Sequence, residues 1–196
     1  MRLVLLGAPG SGKGTQADIL KTELGVPHVS TGDLLRAAVK AGTPLGLKAK
    51  AVMESGQLVS DDIVLAMLEE RLEQPDAAAG FILDGYPRNL AQCEALEALL
   101  ARIGQPLEVA IKLEVPSELI VERIAGRAEK EGRKDDTPET VRARLKVYAE
   151  QTEPVAAHFA QIGKLKVVDG VGELAEVTRR VLDALPPTCA ADRRRA

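Results

Sequence analysis

Apolar residues in this chain fall into short blocks of two kinds, divided by glycine, proline and polar runs. Residues 3–6, 80–83, 107–115 and 165–168 are near-continuous apolar runs, the third carrying polar Glu108, Lys112 and Glu114 towards its ends. Runs of this length predict strands buried on both faces, as in a parallel sheet. Residues 26–29 predict a shorter strand. Between these runs, apolar residues recur at helical spacing, as at Ala17, Leu20 and Leu24. The punctuation agrees with that division. Gly25 closes a helix over 12–24, and Ser30-Thr31-Gly32-Asp33 offers caps for one over 34–40. Gly42-Thr43-Pro44 precedes a helix over 45–54, and Ser60-Asp61-Asp62 one that runs to about 72. Further helices are predicted over 89–103, from Pro116-Ser117 past Arg127, from Thr137-Pro138 to about 162, and over 173–185. Strands that alternate with helices imply right-handed crossovers. The predicted fold is α/β: a five-stranded parallel sheet covered by helices on both faces, in three layers.

Composition narrows this picture. A chain of 196 residues suits one domain with a substantial core, and aromatics at 2% leave that core to aliphatic residues. A net charge of −3 argues against a nucleic-acid partner bound by bulk charge. No apolar stretch approaches the roughly 20 residues that span a bilayer, so no membrane partner is expected. The first residues lead straight into a strand and lack a signal-peptide layout. Cys93 and Cys189 lie far apart, in no metal-ligand spacing, and are expected as reduced thiols of a cytoplasmic protein. A monomer is expected. Residues 186–196, with Arg193-Arg194-Arg195, read as a C-terminal tail beyond a single domain over 1–185.

The chemistry concentrates after the first strand. Gly7-Ala8-Pro9-Gly10-Ser11-Gly12-Lys13 fits G-x-x-x-x-G-K, followed by Gly14 rather than a hydroxyl residue, so that the hydroxyl comes one place late, at Thr15. Strand, glycine loop and helix in this order form a P-loop. Its backbone N–H groups and the helix N-terminus wrap an anion, and Lys13 adds a full charge. The competing view, a tight turn beside a surface lysine, does not account for the strand-loop-helix context. Asp84, at the end of the second long strand, has the layout of a Walker B carboxylate that holds Mg²⁺ directly or through water; by itself it would read as a turn aspartate. Arg36, Arg88, Arg123, Arg127, Arg133 and Arg144 are spaced as if aimed inward. A lone arginine is usually solvated, but six of them suit the charge that phosphoryl transfer spreads over several oxygens. No residue offers itself as a covalent nucleophile, and His28 and His158 read as structural, His28 as a core or strand-end histidine.

GAPGSGKGTQ, STGDLLR, GQLV, LDGYPRN with Gln92, and GRAEKEGRKDDT with RARL together resemble the adenylate kinases, over nearly the whole of 1–185. The resemblance implies a P-loop kinase that converts ATP and AMP into two ADP with Mg²⁺. It implies ATP phosphates held by Gly10, Ser11, Gly12, Lys13, Gly14 and Thr15, with Arg123 at the transferring group, Arg127 on ATP and the Gly172 backbone at its base. It implies an AMP site of Thr31, Arg36, Gln57, Leu58, Val59, Gly85, Tyr86, Pro87, Arg88 and Gln92, clamped by Arg133 and Arg144. Lys13, Arg88, Arg123, Arg133 and Arg144 would carry catalysis. Residues 30–59 would form a mobile AMP-binding insert, 126–136 a short lid without structural zinc, and Tyr86-Pro87 a cis turn. Gln92 could offer an adenine edge both a donor and an acceptor. Two alternatives stay open from the residues: a UMP/CMP-type kinase, and a nucleotide-switched regulator.

Overall fold

The computed structural model describes residues 1–131 and 137–187, with the side chains of 127–131 outside that description. Five strands, β1 (Arg2–Leu6), β2 (His28–Ser30), β3 (Phe81–Asp84), β4 (Val109–Glu114) and β5 (Leu165–Asp169), form one parallel sheet in the order β2-β3-β1-β4-β5. The predicted architecture is therefore the observed one. Alternation within each buried run sends side chains to opposite faces. Val4, Leu6, Phe81 and Leu83 enter one core with Leu68, Leu96, Leu100 and Phe159. Leu3, Leu5 and Ile82 enter another with Leu20, Val177 and Val181.

The helices are α1 (Lys13–Leu24), α2 (Thr31–Lys40), α3 (Pro44–Glu54), α4 (Asp61–Leu72), α5 (Leu90–Arg102), α6 (Ser117–Glu131), α7 (Pro138–Val147), α8 (Glu153–Gln161) and α9 (Leu174–Asp183). Among the described residues no helix is long and apolar enough to cross a membrane. Two boundaries depart from the sequence pattern. Helix α2 starts at Thr31, three residues early, because the Ser30 hydroxyl accepts from the Asp33 N–H and makes Ser30 the N-cap. The single helix predicted from 137 to 162 is three segments: α7, a π-turn over Tyr148–Thr152, and α8. Pro154 lies inside that run, where its missing N–H and its ring disturb regular α-helical bonding.

The chain lays β1, β2 and β3 on one side and then crosses over to β4 and β5, so the topological switch falls at β1. Ligands of open α/β sheets bind beyond the carboxyl ends at such a switch. There Leu5 pairs in register with Asp84, and Asp84 in turn with Ser30. On the far side of the core, Cys93 and Glu97 of α5 meet His158 of α8, with ligand atoms within 4.8 Å of one another. The His158 imidazole pairs with Glu97 at 2.9 Å over the buried thiol, which gives His158 the structural role its sequence position suggested. Residues 132–136, within the predicted lid, and 188–196, within the predicted tail, lie outside the described residues.

Candidate active site

The glycine loop leaves β1 at Gly7 and enters α1 at Gly12. Gly10 and Gly12 have φ of 82° and 96°, which other residues rarely adopt, and a Cβ on Gly10 would stand 2.7 Å from Ile124 Cγ1. Gly12 is the N-cap of α1. Among the described residues no side chain caps this helix, and its first turn holds no acidic residue, so its positive dipole end lies at the cleft. Among the described residues the buried Ser11 hydroxyl and Gln16 Oε1 have no hydrogen-bond partner. Such an uncapped, glycine-built terminus is a receptor for phosphate oxygens. Lys13 Nζ donates to Gly7 O at 2.7 Å and to Ala8 O at 2.9 Å, folded along the rim of the loop.

Around this loop opens a cleft of about 780 Å³. It is lined by Gly10, Ser11, Gly12, Lys13, Gly14, Thr15, Arg36, Leu58, Asp84, Gly85, Tyr86, Pro87, Arg88, Arg123, Arg144 and Gly172. A smaller pocket adjoins it, sharing Arg36, Leu58, Gly85, Arg88 and Arg144 and adding Thr31, Gln57, Val59 and Gln92 between the apolar walls Leu35, Met53 and Val64. The fold thus gathers the predicted residues from α1, α2, β3, α5, α6 and α7 into one place. The side chain of Arg127 and the whole of Arg133 lie outside the described structure.

Asp84 stands between opposing influences. Burial pushes its carboxyl up, but His28 beside it and the charges of Lys13 and Arg88 outweigh that and hold it below the ordinary value. It is therefore an ionised oxygen donor at neutral pH. Its Oδ2 would be 3.7 Å from a Cβ on Gly14, so the bare backbone there leaves space between the carboxylate and the first turn of α1. Asp84 with Thr15 suits a hard, oxygen-seeking cation such as Mg²⁺. His28 lines the cleft, with Nε2 3.4 Å from Asp84 Oδ2 and Nδ1 3.1 Å from Asp18 Oδ1. His28 is the strand-end histidine expected, the first residue of β2, and the structure adds the two carboxylates beside it. Parallel pairing of β2 with β3 sets it beside the carboxylate, a neighbour 56 positions away that the sequence pattern does not reveal.

Arg88 lies at the centre of the opposite end's electrostatics. Burial, then the charge of Arg144 and, more weakly, that of Arg36 push its guanidinium down to about 10 against the pull of Asp84. It stays charged at neutral pH, in a cluster of cations that an anion would relieve. Arg88 follows the cis Tyr86–Pro87 bond, as the resemblance implied. Gln92 is nearly fully buried rather than free at a surface: its Nε2 donates to Asp61 Oδ1 and its Oε1 accepts from the Arg88 N–H, both at 2.7 Å. One N–H and one lone pair of the amide remain, so the expected double role towards a base is narrower than the bare side chain suggested. The Thr31 hydroxyl donates to Gly85 O at 2.9 Å. Arg123 reaches Gly170 O at 3.2 Å, beside the loop. Sequence reasoning passed over Tyr148 and Thr152, which line the cleft from the π-turn; Pro154, interrupting a predicted helix, is the signal that points to them.

A parallel sheet whose first strand runs into a phosphate cradle, with a ring of guanidinium groups across the cleft, defines a P-loop phosphotransferase. Comparison with known proteins narrows the class. The chain matches the family described as Adenylate kinase over residues 5–164. It is 65% identical over 185 residues to the adenylate kinase of Xanthomonas euvesicatoria pv. vesicatoria (strain 85-10), 66% to that of Xanthomonas oryzae pv. oryzae (strain MAFF 311018) and 63% to that of Stenotrophomonas maltophilia (strain K279a). Each alignment covers 94% of this chain and 99% of the relative. The chain belongs to the adenylate kinase family and is a phosphotransferase: it moves a phosphoryl group reversibly between ATP and AMP, with two ADP as the other side of the equilibrium. These matches lend nothing to the pyrimidine-nucleotide alternative. Family members act on magnesium-bound nucleotide.

Proposed function

We propose that the two subsites of this transfer divide the cleft between backbone and side chains. Gly10 to Thr15 and Lys13 hold the triphosphate of ATP. Arg36, Arg88 and Arg144 hold the AMP phosphate, with Thr31, Gln57, Leu58, Val59, Gly85, Tyr86, Pro87 and Gln92 around its nucleoside. The Gly172 backbone meets the ATP base. Arg123, which reaches Gly170 O beside the loop, would stand at the transferring group, and Arg127 and Arg133 complete the set by resemblance. An AMP phosphate oxygen attacks the γ-phosphorus in line. A new O–P bond forms, the bond to the β-phosphate oxygen breaks, and the electron pair leaves on ADP. The attacking group is already an anion, so no side chain need take a proton or form a covalent intermediate. Lys13 and the guanidinium groups supply charge where it develops. Asp84, with Thr15, would hold Mg²⁺, which when bound draws charge from the phosphate oxygens.

We infer that residues 30–59 move over the rest of the 1–185 domain, closing to exclude water that would otherwise hydrolyse ATP. We infer a cytoplasmic monomer; every group the reading uses comes from one chain. The observation that carries the proposal is the facing pair, an uncapped glycine cradle and a cation cluster whose Arg88 is pushed down to about 10. Steady-state rates with AMP, CMP, UMP and GMP as acceptors test it. AMP should have the highest kcat/KM, and a better pyrimidine acceptor would overturn the assignment of the second subsite.

A further inference from the structure

We propose that the π-turn Tyr148–Thr152 is a device for placing Arg88, and that Thr152 is the positioning residue through which it acts. The inference rests on the role given to Arg88 above.

The helical run from Pro138 to Gln161 widens at one place. The Glu153 N–H donates to the Tyr148 carbonyl, five residues back, instead of to the residue four back. Pro154 gives the cause: in a regular α-helix its ring would collide with the carbonyl of Glu150. The consequence lies one turn earlier. Arg144, Tyr148 and Thr152 are spaced by four, and in an α-helix each such step advances about 40° around the axis. Two steps would carry Thr152 off the stripe that Arg144 occupies. The wider turn rotates less per residue and takes that drift back. All three residues line the cleft. Glu153 holds the turn to the sheet by pairing with Lys112 of β4.

Thr152 is 8% exposed, and its hydroxyl donates to the Arg88 carbonyl at 2.7 Å. The Arg88 N–H is taken by Gln92 Oε1 at 2.7 Å, and Arg88 Nε donates to Gly85 O at 2.8 Å. Arg88 is therefore held at its amide and its side chain by its own stretch of chain and at its carbonyl by the distant Thr152. The charge of Arg144 and, more weakly, that of Arg36 act against its own, so these bonds hold a guanidinium that its cationic neighbours would otherwise push away. The same helical run carries Arg144 on α7 and, through Thr152, the backbone of Arg88. The π-turn thereby sets the spacing between two guanidinium groups that close on one phosphate.

Thr152→Val keeps the shape and removes the hydroxyl, leaving the buried Arg88 carbonyl without its donor. We expect kcat/KM for AMP to fall about tenfold, with KM for ATP unchanged within twofold and Thr152→Ser returning close to the wild-type value. Pro154→Ala lets the run close towards regular α-helix. It should raise the melting temperature while lowering kcat/KM for AMP several-fold, a combination that a purely structural turn would not produce. Pro154→Ala also carries the test alone should Thr152→Val fail to fold. Wild-type AMP kinetics in either folded variant, no recovery in Thr152→Ser, or an equal loss towards ATP would overturn the inference. Arg88→Lys separates the two layers. If it keeps wild-type rates, the role of Arg88 fails and the inference fails with it; if it loses activity while Thr152→Val does not, only the positioning role is lost.

Discussion

In the proposed reading, the two ends of the cleft would bind the same chemical group by different means. At the cradle the donors are backbone N–H groups of one contiguous stretch, Gly7 to Thr15, set by glycine conformations and by the start of α1. At the opposite end the donors are side chains of Arg36, Arg88 and Arg144, which reach the cleft from α2, from the segment after β3 and from α7. The cradle is organised by covalent geometry and needs few distant partners. The guanidinium cage is organised by long-range hydrogen bonds: Thr152 to Arg88 across 64 positions, Thr31 to Gly85 across 54, and Gln92 to Asp61 across 31. The lesson is that anion binding by backbone is stiff and local, while anion binding by guanidinium groups depends on everything that holds them. Motion and specificity should therefore belong to the second end.

The contrast can be broken most strongly at Lys13. Lys13→Ala should lower kcat by about two to three orders of magnitude, the scale for losing one group that stabilises developing charge, with little change in melting temperature. A variant that kept wild-type kcat would remove the cradle from the chemistry. Next, Gly10→Ala places a Cβ 2.7 Å from Ile124 Cγ1 at a φ of 82°. It should cost about 1–3 kcal/mol of stability by thermal or denaturant unfolding, and raise KM for ATP more than KM for AMP. An equal rise in both would show that the two ends are not separable. At the cage, Gln92→Leu removes the bonds to Asp61 and to the Arg88 N–H; KM for AMP should rise about tenfold while KM for ATP holds steady in the same assay. The smallest effect lies outside both ends. Burial, with Glu97 and Glu94 nearby, pushes the Cys93 thiol up to about 12, so at pH 8 almost none of it is thiolate. In a Cys189→Ser background the native protein should not react with a disulfide reagent at that pH, and one thiol should appear on unfolding; rapid reaction of the native form would mean that the α5–α8 core opens more easily than the cleft contrast allows.

Much of the molecule could be read before its coordinates were known, and the readable parts share a cause. Buried strands announce themselves by continuous apolar runs. The P-loop announces itself because its glycines, its lysine and the helix start are adjacent in the chain. The capping residues Thr43, Asn89 and Thr137 lie beside the helices they start, each accepting from an N–H three residues on. The acceptor-side residues Thr31, Gln57 to Val59 and Gln92 were named from the family resemblance, since no local rule marks a threonine or a glutamine as part of a nucleotide pocket.

The chain's own order of residues determined the parallel α/β architecture and the glycine loop with its lysine, because each is written in neighbours within a few positions. Only tertiary structure decided which residues serve the arginines of the cleft. His28 meets Asp84 through strand pairing, Gln92 spends part of its amide on Asp61 and Arg88, and Thr152 reaches the Arg88 carbonyl through a turn widened at Pro154. Hydrogen bonds between groups dozens of residues apart leave no periodicity in a sequence. They exist only once the sheet and its helices have packed, and they set where the charge in the cleft is held.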